Sequence, residues 1–156
     1  MTREALVFSI RYSFYLETMQ AALYNRIDRL LNFAQIMLGS AIFAAYGSLT
    51  MFGAVVTAIS AISFVWQPGK TAMLCELQSR AMKKLISLTY TAPDEQLNAE
   101  FLRAQEGDSP SLGLLRDAAH KRTLISLGRS QEASTIRMSF VESAVAWFAG
   151  DLPKDV

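Results

Sequence analysis

The sequence predicts an all-α protein in which a two-helix transmembrane hairpin, over residues 31–66, follows a long amphipathic N-terminal helix, over 1–30, and precedes a helical cytoplasmic region, over 67–156. The first observation behind this prediction is charge. The chain has 15 Lys and Arg and 14 Asp and Glu residues, but none of them lies between Leu30 and Gly69. The second is periodicity, because apolar residues on both sides of this uncharged stretch recur at the three- and four-residue steps of a helix. The net charge of +1 gives no indication of nucleic-acid binding.

The uncharged stretch is too long for one upright membrane span and has about the length of two short ones, because a hydrocarbon core about 30 Å thick needs ~20 helical residues. Small polar residues near Gly47–Ser48 predict a turn, so the spans are expected at Leu31–Gly47 and Leu49–Trp66. Lipid offers no partners for backbone N–H and C=O groups, so both spans should be continuous helices. The alternative is a hairpin that is buried in a soluble helical bundle. The rest of a 156-residue chain, however, offers little surface with which to cover two helices that are apolar on every side.

Small and polar side chains inside the two spans are candidates for packing between helices or for lining a pore. They are Asn32, Gln35, Gly39, Gly53, Thr57 and Ser60. Small residues let helices approach closely in lipid, and polar residues form hydrogen bonds between helices. The alternative is that they face an aqueous path when several hairpins assemble in a ring. Because neither span contains a charge, a proton pump or a strongly ion-selective transporter is disfavoured.

Basic residues flank the open end of the predicted hairpin, and the connection between the spans has no charge. The flanking cations are Arg26, Arg29, Lys70, Lys83 and Lys84. The positive-inside rule therefore predicts that both termini are cytoplasmic. Arg11 and Glu17 interrupt the apolar core that a cleaved signal peptide needs, so the N-terminus is expected to be retained.

The N-terminal helix and the helix after Pro68 are predicted from their apolar faces. In the first, the face comprises Phe8, Tyr12, Tyr15, Met19, Leu23, Ile27 and Leu30. In the second, the expected buried residues are Leu74, Leu77, Ala81, Leu85 and Leu88. The second helix is expected to pack along the first.

Proline, serine and glycine mark the remaining helices. Pro93 suits the first turn of a short helix, and Ser109–Pro110 predicts the start of another that ends before Gly128. A last helix is expected over Ser130–Ala149, with Gly150 as its terminator. Three uses of its apolar face stay open: packing on the other cytoplasmic helices, contact with another subunit, and contact with the membrane.

No Walker-type loop, dinucleotide-binding glycine pattern, HExxH pair or nucleophile elbow occurs in the sequence. The single cysteine, Cys75, has no second thiol with which to form an internal disulfide or a metal site. His120 is expected to pack or to form a hydrogen bond on a helix surface, with Asp117 one turn away. The sequence therefore predicts a protein that is not an enzyme and that needs no cofactor or metal.

Three short segments match a known group of membrane proteins. They are Ile10-Arg11-Tyr12-Ser13, Arg26–Arg29 leading into Leu38-Gly39-Ser40-Ala41, and Asp108-Ser109-Pro110 followed by Asp117-Ala118-Ala119-His120-Lys121. With the order of the helices, they resemble the SLATT group of bacterial two-transmembrane proteins, and more closely the prophage and bacterial membrane proteins of that type. The resemblance implies an effector in the bacterial inner membrane that assembles and perturbs the membrane, in conflict between phages or between phage and host.

The first functional hypothesis is accordingly a self-associating integral membrane protein, acting as a pore-forming or otherwise membrane-perturbing effector. Its expected partners are the lipid bilayer, further copies of the chain and an unidentified cytoplasmic signalling partner. The second hypothesis is a phage virion structural or genome-delivery protein that inserts into the host membrane. The third is a soluble helical oligomerisation module whose uncharged hairpin is buried between copies.

Overall fold

In the computed structural model, residues 2–43, 48–106 and 112–153 are described, and within these ranges the chain is all-helical, without strands. Seven α-helices follow in chain order. They are α1 (Arg3–Phe43), α2 (Leu49–Trp66), α3 (Pro68–Leu88), α4 (Asp94–Gln105), α5 (Arg116–Ser126), α6 (Ser130–Thr135) and α7 (Phe140–Ala149). A short 3₁₀ turn, Gly113–Leu115, precedes α5.

Helix α1 is the axis of the molecule. Its 41 residues span about 60 Å, and it continues without interruption from the predicted N-terminal helix into the predicted first span. Helices α2 and α3 run antiparallel to it, α2 beside its C-terminal part and α3 beside its N-terminal part. The Tyr24 and Trp66 rings lie 6.0 Å apart, and the Gln35 amide lies near Ser63, which fixes this direction.

The N-terminal part of α1 is covered on more than one side. Its buried apolar side chains are Leu6, Ile10, Leu16, Met19, Leu23 and Tyr24. Of the face predicted from the sequence, Met19 and Leu23 are buried and Leu30 is exposed, while the other members are half-buried. The single-face prediction was therefore too narrow, because a central helix with neighbours on several sides buries more than one stripe.

Two apolar clusters lie along α1. Near its N-terminus, Leu6 and Ile10 pack with Met82 of α3 and with Leu97 and Phe101 of α4. Nearer the middle, the 3₁₀ turn, α5 and α7 pack on α1. This second cluster comprises Leu16, Met19, Leu23, Leu115, Ala118, Ala119, Ala146 and Ala149. The described helices after Leu88 therefore lie at the end of the molecule that contains the N-terminal part of α1.

The buried face of α3 differs from the prediction. Leu85 is buried as expected, but Leu74 and Leu77 are half exposed, and the buried positions near them are Ala72 and Cys75. These two small side chains pack with Ala21 and Tyr24 of α1 in a third cluster. Small residues permit a close approach of the two helices, and a pattern built on large apolar residues does not detect such a face.

The predicted helix over Ser130–Ala149 is wrong in one respect, because it is two helices with Ile136–Ser139 between them. Ser139 caps α7: its hydroxyl accepts from the Glu142 N–H at 3.2 Å, and its own N–H donates to the Glu142 carboxylate at 2.7 Å. This reciprocal capping box starts a new helix inside the apolar pattern. Gly150 ends α7 at φ +89°, as predicted.

A helix follows Pro93 as predicted, but Pro93 is the N-cap residue of α4 and lies one position before the first turn in which it was expected. The predicted helix start at Ser109–Pro110 lies outside the described residues. Downstream of it, α5 ends before Gly128, which has φ +74°.

Candidate membrane segment and the groove at the opposite end

Helix α2 coincides with the predicted second span, Leu49–Trp66, and apart from the side that faces α1 it is exposed. None of its 18 residues is buried, and Phe64 and Val65 are 78% and 82% exposed. The helix is about 27 Å long, close to the ~30 Å of a hydrocarbon core. Among the described residues, one helical stretch is long and apolar enough to cross a membrane by length and composition. This stretch is Leu49–Leu88, which comprises α2 and α3.

The C-terminal part of α1 is the neighbour of α2, and the structure describes it as far as Phe43. Five of its residues are half-buried and recur at helical spacing on one side. They are Leu31, Ala34, Gln35, Leu38 and Gly39. Phe33, Ile36 and Met37, on other sides, are each more than half exposed. We call this paired, uncovered part of the molecule, residues 31–43 and 49–66, the stem.

Within the described part of the stem, a side-chain hydrogen bond joins the two helices, from the Gln35 amide to the Ser63 hydroxyl at 3.5 Å. Gln35 was one of the sequence candidates, and Ser63 was missed. Two further polar candidates bond within their own helices: Asn32 donates to the Asp28 carboxylate at 3.1 Å, and Thr57 donates to the Gly53 carbonyl at 2.8 Å.

The other candidates face away from close contacts within the chain. A Cβ placed on Gly39 or on Gly53 meets no atom within 4 Å, and Ser60 is exposed. These glycines therefore do not bring α1 and α2 together in one molecule. Both glycines are half-buried, and the open space beside each of them leaves room for an additional side chain or a neighbouring helix.

The stem meets the rest of the molecule at Gln67 and Pro68. Gln67 has φ +48° and separates α2 from α3, because the residue before a proline is disfavoured in the α-helical conformation. Tyr24 lies edge-on to Trp66 at this level, and burial raises the pKa of its phenol. The five flanking cations predicted from the sequence are all exposed, namely Arg26, Arg29, Lys70, Lys83 and Lys84.

An open groove of about 700 Å³ lies at the other end of α1. His120 lines it, and its ring contacts Phe8 at 5.3 Å and Tyr12 at 6.4 Å, both edge-on. Burial raises the pKa of Tyr12, and the nearby Arg116 partly offsets this effect. Phe8 precedes Leu31 by 23 residues, or about 35 Å along the helix, so the groove is remote from the stem.

These surroundings suit aromatic packing around His120 better than catalysis. Within the described ranges, no three His, Cys, Asp or Glu residues lie where they could together hold a metal ion. Cys75 is buried between α1 and α3. The described residues thus form an all-helical fold in which one apolar helical stretch, with no fully buried residue in α2, has the length and composition to span a membrane.

No protein-family model matches the chain, and neither the curated proteins nor the solved structures include one with significant similarity to it.

Proposed function

We propose that this chain is an integral membrane protein whose stem crosses the bilayer as a helical hairpin, with both termini cytoplasmic, and that it self-associates there as a membrane-perturbing effector. The observation that supports this most directly is that no residue of α2 is fully buried. An uncovered apolar surface of this length is unfavourable in water and favourable in lipid.

Helix α1 provides an internal comparison. Its N-terminal part buries Leu16, Met19 and Leu23 to 6% exposure or less, whereas Phe33 and Ile36, further along the same helix, are 61% and 68% exposed. This change in exposure occurs close to Arg29, which is the last charged residue before the uncharged stretch. A bilayer that begins near this level accounts for both the loss of charge and the loss of protein cover.

Self-association is supported by Gly53 and by the exposed residues Thr57 and Ser60 of α2. Gly53, Thr57 and Ser60 recur at three- and four-residue steps, and the chain itself places no tight contact on Gly53. In lipid, such small-residue faces let helices pack closely. Assembled stems are the means by which an uncharged hairpin perturbs a membrane, and the resemblance to SLATT-type proteins is consistent with that role.

The same exposed stem also fits a soluble oligomer in which copies bury one another's hairpins. Alkaline carbonate extraction of membranes separates the two functions. The proposal expects the protein in the carbonate-resistant pellet, and a water-soluble oligomer in the supernatant contradicts it.

Self-association is tested by light scattering on detergent-extracted protein, together with dye release from liposomes that contain the same sample. Gly53→Leu adds bulk to the small-residue face, and Ala54→Leu adds similar bulk to the neighbouring exposed position. We expect Gly53→Leu to reduce the oligomer and the dye release, and Ala54→Leu to leave both near the wild-type level. A monomeric wild-type protein that leaves liposomes sealed contradicts the effector role.

A further inference from the structure

Helix α7 has one buried face and one uncovered apolar face. Ala146 and Ala149 are buried against α1, whereas Phe140, Val141 and Trp147 are 88%, 55% and 69% exposed. With Ala144, which is also exposed, these three residues form a face with the spacing of a helix. We call Phe140, Val141, Ala144 and Trp147 the outer face of α7. No described part of the chain covers it.

The C-terminal end of α7 lies next to the base of the stem. Arg26 donates from Nη1 to the Phe148 carbonyl at 2.5 Å, and its guanidinium lies 5.9 Å from the centre of the Phe148 ring. Arg26 precedes Leu31, where the uncharged stretch begins, by five residues, or about 8 Å along α1. The polar headgroup region of a bilayer has a similar thickness, so this end of α7 lies at the level of the headgroups if the stem spans the membrane.

The acidic residues next to α7 and to the base of the stem, Asp151 and Asp28, are half-buried, and Asp151 pairs with Arg122 at 3.1 Å. The exposed charges there are basic, which fits an anionic lipid surface. Arg29 and Lys70, at the base of the stem, and Arg137, just before α7, are all exposed. The only charged residue within α7 is Glu142. Its hydrogen bonds with the backbone and the side chain of Ser139 lower the pKa of its carboxyl group. Tryptophan and phenylalanine on one face, with basic residues nearby, are typical of helices that lie in the membrane interface.

We propose that α7 is an interfacial helix whose outer face enters the headgroup region of the cytoplasmic leaflet beside the stem. This inference rests on the proposed membrane insertion of the stem and adds a second, peripheral lipid contact. The occupant of the outer face is the bilayer surface, and a second copy of the chain is the competing occupant that the experiment distinguishes.

The two tryptophans of the chain make the test direct, because Trp66 belongs to the stem and Trp147 to the outer face. Trp66→Phe leaves Trp147 as the only indole, and Trp147→Phe leaves Trp66. Each variant is reconstituted in vesicles of phosphatidylcholine and phosphatidylglycerol, with and without brominated phosphatidylcholine as a quencher. We expect brominated lipid to quench both indoles, and Trp147 emission to shift to shorter wavelength relative to its emission in urea.

The outcomes separate this inference from the proposed function. Quenching of Trp66 without quenching of Trp147 overturns the interfacial role of α7 and leaves the stem in the membrane. Absence of quenching at both positions overturns the membrane insertion and the inference with it. A blue-shifted Trp147 that brominated lipid does not quench indicates burial against a second copy, and it also overturns the inference.

A pair of charge substitutions gives a second test. Val141 and Leu102 are both 55% exposed, but Leu102 belongs to α4, which packs near the N-terminus of α1. In the Trp66→Phe background, Val141→Glu should reduce the quenching of Trp147, and Leu102→Glu should leave it unchanged. Equal quenching in the two variants would show that the outer face does not contact lipid.

Discussion

A charged residue at Ala58 should have very different effects on a stem that crosses a membrane and on a stem that is in water. It lies near the middle of α2, nine residues after Leu49 and eight before Trp66, and it is exposed. In water, an arginine at an exposed helical position changes the free energy of unfolding by less than about 0.5 kcal/mol. At the centre of a bilayer it costs about 2.5–3.5 kcal/mol on translocon scales.

The position of Ala58 supports the larger value for a membrane stem. Each end of α2 is about 12 Å away along the helix axis, so an arginine side chain reaches the headgroups only with difficulty. A cost of 2.5–3.5 kcal/mol lowers the insertion equilibrium roughly 70- to 400-fold. We therefore expect Ala58→Arg to remove most of the protein from the carbonate-resistant membrane fraction.

Val65→Arg is the matched control. Val65 is 82% exposed and is the penultimate residue of α2, on the side of the flanking cations, so an arginine there reaches the cytoplasmic headgroups and adds to the basic flank. Val65→Arg should remain in the membrane fraction at nearly the wild-type yield. If Ala58→Arg is also recovered there in full, the reasoning that α2 crosses the bilayer is refuted.

Three further predictions concern the joints of the fold. Gly150→Ala should lower the free energy of unfolding by about 1–2 kcal/mol, measured by circular dichroism in detergent, because φ is +89° and a Cβ meets the Arg26 guanidinium at 2.7 Å. An unchanged melting curve would contradict this. Gln67→Gly should raise that free energy by up to about 1 kcal/mol, since glycine adopts φ +48° without strain; a clear loss of stability would show that the side chain is needed. The capping box depends on ionised Glu142, and the fold lowers the pKa of this carboxyl group below its unfolded value of 4.5. The stabilisation from the capping box is therefore complete above pH 4.5 and is lost as the pH falls through the lower pKa of the folded state. Trp147 emission in Trp66→Phe should change in that acidic range, and a Glu142→Gln variant should abolish the change.

The helical class and the bounds of α2 follow from the sequence because both depend on local pattern. Ser48 caps α2 by accepting from the Met51 N–H at 3.4 Å, and Pro68 forces the break after Trp66, so both ends of the span have a signal in the residues themselves. The first span is different. Its predicted end, at Gly47, lies outside the described residues, and the hairpin as a transmembrane unit stays a prediction.

The register of the stem could not be predicted as closely. A turn centred at Gly47–Ser48 places Gln35 opposite Ser60, whereas the hydrogen bond is with Ser63, nearly one helical turn further. Because residues three and four apart share a helix face, sequence spacing alone does not choose between the two serines. The choice depends on how α1 and α2 pack, which is a tertiary property.

The role of α7 depends equally on tertiary structure. Its amphipathic pattern predicts an apolar face, but the pattern does not say which residues a neighbour covers. In the fold, α1 covers the small residues Ala146 and Ala149, and the large ones, Phe140 and Trp147, are left outside. A prediction that buries the large apolar residues therefore selects the wrong side of α7, as it did for Leu74 and Leu77 of α3.

Both ends of α2 are fixed by local structure, and this makes its apolar length a constant of the molecule. The helix begins after the Ser48 cap and ends before the break at Gln67 and Pro68, so its length is about 27 Å, and the proposed membrane insertion requires a bilayer that matches this length. Mismatch costs a fraction of a kcal/mol for each ångström and is relieved by tilting a long helix or by thinning the bilayer around a short one. If the stem crosses the bilayer as proposed, a helix of this length should favour lipids with shorter acyl chains, and thicker bilayers should thin around it.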